Sequence, residues 1–124
     1  MIDLEQLYQQ VETLIEQRVG VEGTPFVCGK FEGLGWLYYH YKCSTYEGPY
    51  PRISLKQQKN AIHFYIMLWI DGVPVLERYI EVFGKSAVGK GCLRIKKWED
   101  KHINAVLELI DLAIEKTKNS KATK

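Results

Sequence analysis

Apolar residues at Leu4, Leu7, Val11, Leu14 and Ile15, with Tyr8 at their edge, recur at helical spacing. Glu5, Gln9, Glu12 and Glu16 run beside them as a polar stripe. The pattern predicts a first helix from about Ile2 to Arg18, ended by Gly20 and the Gly23-Thr24-Pro25 run. The period then changes. Trp36 to Lys42 is dense in aromatic residues that favour strands, and shorter strands fit Phe26 to Lys30 and Arg52 to Lys56. Between Ala61 and Trp69, Ile62, Phe64, Ile66 and Leu68 alternate with His63, Tyr65 and Met67, which marks a strand with one buried face. Gln57 to Asn60 reads as a hairpin turn, and Cys43 to Pro51, with Gly48, Pro49 and Pro51, reads as a loop.

Downstream, Asp71 can cap a helix with Pro74 in its first turn. Val75, Leu76, Tyr79, Ile80 and Phe83 give that helix an apolar face, and Gly84 sits at its end. A glycine-lysine loop leads to a strand from Gly91 to Lys97. The last helix runs from about Glu99 to Lys116, with Ile103, Val106, Leu107, Ile110 and Ile114 inward. The order is α-β-β-β-β-α-β-α. Strands grouped between helices predict an α+β fold, a curved antiparallel sheet with helices packed on one face. Its other face would carry tyrosine, histidine, arginine and lysine, and function is expected there. At 124 residues the chain makes one domain, over residues 1–116, with residues 117–124 as a disordered basic tail.

Charge and cysteine content narrow the function classes. The formal net charge is +2, but four lysines lie between Lys116 and Lys124; without them thirteen cations face fifteen carboxylates. The basic balance belongs to the tail, which argues against nucleic acid as a partner. Three cysteines at wide spacing do not form a disulfide framework and suit a cytoplasmic, reducing setting. The N-terminus has no secretory signal, and the longest apolar stretch, Ala61 to Ile70, is too short for a membrane span.

Several motifs carry candidate chemistry. Gly84 to Gly91 approximates a phosphate-binding loop, but Gly91 stands where the magnesium-binding hydroxyl belongs. A helix precedes this loop and a strand follows it, the reverse of what phosphate binding at a helix N-terminus requires. Between Glu81 and Glu99 there is no carboxylate, yet Lys85, Lys90, Arg94, Lys96 and Lys97 all fall there. Arg94 and Lys96 share one strand face. This basic patch reads as an anion site with glycine-loop amides assisting, or as a solvated strand face. Trp36, Tyr38 and His40 alternate with Leu37, Tyr39 and Tyr41, so one set can line a pocket or both can pack. His40-x-x-Cys43 is half of a zinc motif without its second half. Cys92 follows Lys90, which would lower its pKa if the thiol were exposed; a buried core thiol is the plainer reading. Glu5, Glu12 and Glu16 offer oxygen ligands to a cation, or simply form a solvated helix face. No nucleophile and base pair can be named.

From Gly35 onward the chain resembles the short YdhG-like proteins, a family whose role is mostly unassigned. Gly35 to Lys42 resembles their tyrosine-histidine-tyrosine strand, and Phe64-Tyr65-Ile66-Met67 their central strand. Gly84-Lys85, Gly89-Lys90 and Cys92 to Lys97 are similar to their glycine-lysine loop and following strand; Asp100 and Leu107 to Ile110 fit their closing helix. Gly91 and Trp98 depart from the serine and leucine common there. The resemblance implies an α+β fold with a curved antiparallel sheet and a loose kinship with frataxin-like and YjbR-like proteins. Some longer members are described as intracellular iron chaperones.

The leading expectation is a non-enzymatic domain that binds a small anion. Its site would comprise Arg94, Lys96 and the Gly89-Lys90-Gly91 loop, with Tyr39, Tyr41 or Tyr65 against the ligand. One alternative is a frataxin-like carrier of iron on Glu5, Glu12 and Glu16. Another is a protein-interaction module or homodimer built on exposed aromatic side chains.

Overall fold

A computed structural model describes residues 3–28, 31–42, 44, 47–89, 91–96 and 98–122. Helix α1, Leu4–Val19, starts on Asp3, whose carboxylate accepts the Glu5 N–H at 3.0 Å. It stops at Gly20, whose φ of 93° lets its N–H close back on the Glu16 carbonyl. Strands β1 (Thr24–Cys28), β2 (Phe31–Lys42), β3 (Glu47–Gln57) and β4 (Ile62–Ile66) follow as successive antiparallel neighbours. A two-stranded hairpin, β5 (Trp69–Ile70) and β6 (Val73–Pro74), leads to a 3₁₀ turn over Val75–Tyr79 and helix α2, Ile80–Phe83. After a second 3₁₀ turn at Lys85–Ala87, β7 (Cys92–Ile95) joins β4, giving the sheet order β1-β2-β3-β4-β7. Helix α3, Asp100–Ala122, closes the domain. The expected α+β class and its helix-covered antiparallel sheet are what forms.

Alternation decides what each strand contributes. Ile53 and Leu55, Ile62, Phe64 and Ile66, and Leu93 and Ile95 are buried against α1 and α3. Leu7, Val11 and Ile15 come from α1, and Val106, Leu109, Ile110 and Ala113 from α3. Each such large side chain contributes about 1.5–3 kcal/mol on burial. The intervening residues, Ser54 and Lys56, His63 and Tyr65, and Cys92 and Arg94, take the opposite face of the sheet.

Four details correct the sequence reading. Residues 47–51 are strand, not loop. Only Ile53–Gln57 of β3 pairs with β4, so Pro49 and Pro51 sit where β3 has a neighbour on one side alone. Asp71 caps no helix. Asp71 and Gly72, with φ of 55° and 78°, form the turn between β5 and β6, and Pro74 is in the strand that follows. The expected helix over residues 75–83 splits into a 3₁₀ turn and a single α turn. Finally, α3 continues past Lys116 to Ala122, and its buried stripe includes Leu109 and Ala113 while Leu107 is partly exposed. Thr117, at the start of the stretch expected to be a tail, is tied to the sheet through Arg52.

One irregularity shapes β2. The β2–β3 ladder pairs Trp36 with Ile53 and Tyr38 with Pro51 but skips the rung between them. There Leu37 holds φ at 58°, a conformation that costs a non-glycine residue about 1–2 kcal/mol. Packing of Leu37 against the core offsets that strain. Opposite, Pro51 to Leu55 are buried without a break, so β3 is enclosed on both faces at its centre.

Candidate anion site on the helix-free face

Antiparallel register builds the site. Lys56 stands opposite His63, and His63 opposite Arg94, so three basic side chains cross β3, β4 and β7 in one row. The next row is Ser54, Tyr65 and Cys92. The two permanent charges of the row, Lys56 and Arg94, stand on either side of the His63 imidazole. The Tyr65 hydroxyl oxygen lies 3.3 Å from His63 Nδ1. Tyr65 and Cys92 are hydrogen-bonding neighbours across the strand pair.

The electrostatics follow from that row. Burial, and then the charges of Arg94 and Lys56, push the His63 imidazole below its ordinary 6.5. It is therefore neutral at pH 7. Burial pushes the Cys92 thiol up, against the opposing pull of Arg94 and the Tyr65 hydrogen bond, so Cys92 is not a ready thiolate. Arg94 is exposed, and its Nη1 donates to the Ser86 carbonyl at 2.8 Å. The 3₁₀ turn at Lys85–Ala87 thus fixes the guanidinium at the boundary between the sheet face and a neighbouring cleft.

That cleft, about 490 Å³, lies between α2, the 3₁₀ turn, β7 and the start of α3. Arg94, Lys96 and Lys101 line it together with Glu81 and Glu99. His102 at its wall is buried, and its Nδ1 accepts the Glu99 N–H at 3.0 Å. A side chain at the third helical position that accepts from the capping residue closes the α3 N-terminus, so His102 has a structural role.

The expected site residues do not all converge. Tyr65 and Arg94 do. Tyr39 and Tyr41 join Tyr50 in an aromatic cluster, with ring centroids 6.1 Å apart for Tyr39 and Tyr41 and 5.1 Å apart for Tyr41 and Tyr50, and Tyr50 in turn is close enough to Tyr65 to influence its phenol. Arg52 stacks on the Tyr39 ring at 4.0 Å. Arg52 is only 5% exposed; its Nε donates to Thr117 Oγ1 at 2.9 Å and its Nη1 to the Met67 carbonyl at 3.1 Å. The glycine loop is laced into the sheet. The Gly89 N–H donates to the Cys92 carbonyl at 2.8 Å, which removes that amide from anion binding, and the Gly91 carbonyl accepts from Ile66. Lys90 lies outside the described residues. Lys96 extends the Arg94 side of β7 into the cleft.

The acidic stripe of α1 is also dispersed in role. Glu16 Oε2 accepts the Gly23 N–H at 3.1 Å. Burial, with repulsion from Glu16 and Glu22, raises the Glu12 carboxyl, while Glu5 is exposed at the start of α1. Among the described residues no three His, Cys, Asp or Glu side chains are grouped to hold a metal ion. His40 faces Glu47 at 3.2 Å, and Cys43 lies outside the described residues.

Sequence reading missed the Lys56 and His63 partnership. Placing the turn at Gln57–Asn60 pairs Lys56 with Ala61; the real turn, closed between Gln58 and Ala61, pairs it with His63. Among the described residues no helix is long and apolar enough to cross a membrane. The chain matches no protein-family model, no curated protein and no solved structure.

Proposed function

We propose that this domain is a non-enzymatic binding module for a small anion, a carboxylate, sulfate or phosphate group seated on the helix-free sheet face. Arg94 is its main contact, Lys56 and His63 complete the row, and Tyr65 offers a hydroxyl. The observation that supports this reading is the unbroken cross-strand row of Lys56, His63 and Arg94. The row places the Lys56 and Arg94 charges on one sheet face with a hydrogen-bonding imidazole between them, and an anion seated over it is attracted by both charges.

Thermal unfolding with sulfate, phosphate and citrate tests the reading. Anion at about 100 times its dissociation constant adds roughly 2.7 kcal/mol of stability. That raises the melting temperature by several degrees in a domain of this size. Arg94→Ala removes a charged hydrogen-bond donor and weakens binding about 10- to 100-fold, as expected from about 1.5–3 kcal/mol for such a bond. Undiminished affinity in Arg94→Ala would sink the proposal.

A further inference from the structure

Between two permanent cations, a titratable side chain is an unusual choice for the middle of an anion site. We infer that an anion on this face is bound together with a proton on His63, so that binding takes up a proton and tightens as pH falls. The inference rests on the anion reading above and concerns how that same site is regulated.

Among the described residues, the groups facing His63 come from three strands. From β3 comes Lys56, and from β7 come Arg94 and Cys92; on β4 itself there is Tyr65. Ser54 completes the neighbouring row. Among the described residues, no carboxylate appears in the set of groups that govern the His63 charge state. In the free protein, therefore, both neighbouring charges oppose protonation, and burial acts in the same direction. An anion in the row reverses the sign of the local potential and favours the imidazolium.

His63 Nδ1 lies 3.3 Å from the Tyr65 hydroxyl, which engages that side of the ring. Protonation makes both ring nitrogens N–H donors, so the imidazolium has a second N–H with which to hold the anion. By linkage, affinity rises as pH falls through the histidine pKa of the complex and levels off below that of the free protein. The slope cannot exceed one proton, or about tenfold per pH unit.

Sulfate is the probe, because its charge is constant across the histidine range. Calorimetric titration from about pH 7.5 to about pH 5.5, in two buffers of different ionisation enthalpy, reads both affinity and proton uptake. The wild-type protein is expected to bind sulfate more tightly at the lower pH, with up to one proton taken up. His63→Gln, which keeps a polar partner for Tyr65, is expected to bind with pH-independent affinity and no proton uptake. Equal wild-type affinity at both pH values, or a pH dependence retained in His63→Gln, would overturn the inference and leave the anion site standing. No sulfate binding even at the lower pH would remove both.

Discussion

Arg52 shows how much one side chain can organise. Its guanidinium is buried, stacked on Tyr39 and bonded to two neutral acceptors from different elements, Thr117 of α3 and Met67 just after β4. A buried donor that loses its acceptor costs about 1–3 kcal/mol. Thr117→Val should therefore lower stability by that amount, read as a lower urea midpoint at unchanged slope. Adding Arg52→Met should restore part of the loss, because removing both partners of a buried pair costs less than removing one. A single Thr117→Val variant as stable as the parent would show that the contact carries no weight. At this scale the sequence was legible for Arg94 and Tyr65, whose alternation is regular. It was not legible for Tyr39 and Tyr41, because Tyr50, the ring that gathers them, lies in the stretch that reads as a loop.

Elements were readable where their signals were local. The Gly20 stop and the apolar stripes of α1 and α3 each lie within one or two turns of the residues they control. Misreadings arose where two local signals compete or where pairing decides. Asp71 suits both a helix cap and the first position of a tight hairpin turn; the glycine that follows favours the turn. Prolines usually argue against a strand, but half of β3 lacks a second neighbour and accepts them. The turn itself can be tested. Gly72 has φ of 78° and open space where a Cβ would stand, so Gly72→Ala meets only the backbone penalty. The expected cost is about 1–2 kcal/mol, measured by chemical denaturation. Asp71→Asn should be neutral or slightly stabilising, since asparagine also suits that position. No loss on Gly72→Ala would mean the turn does not need its left-handed residue.

Across the whole molecule, tyrosines give stability an alkaline limit. Burial first, and then its hydrogen bond to Glu108, raise the Tyr79 phenol from 10.0 to about 12. Burial also raises Tyr8, Tyr39 and Tyr65. A folded state that holds these protons after the unfolded chain has released them loses stability as pH rises. The contribution of Tyr79 is intact below pH 10 and is lost progressively toward about pH 12. Urea midpoints should therefore fall on the alkaline side of pH 10, and Tyr79→Phe should flatten that fall. A midpoint that stays level into that range would contradict this assignment.

The bond from Arg52 to Thr117 spans 65 positions of the chain, and the stripe around Val106, Leu109, Ile110 and Ala113 fills the core above the strands. During synthesis the hairpins from β1 to β4 can pair as they leave the ribosome, since each joins its sequence neighbour. Their apolar side then waits for α3, with only α1 to cover it. The core therefore cannot close before α3 has been made, and until then the strands stand as a half-covered sheet with exposed apolar surface.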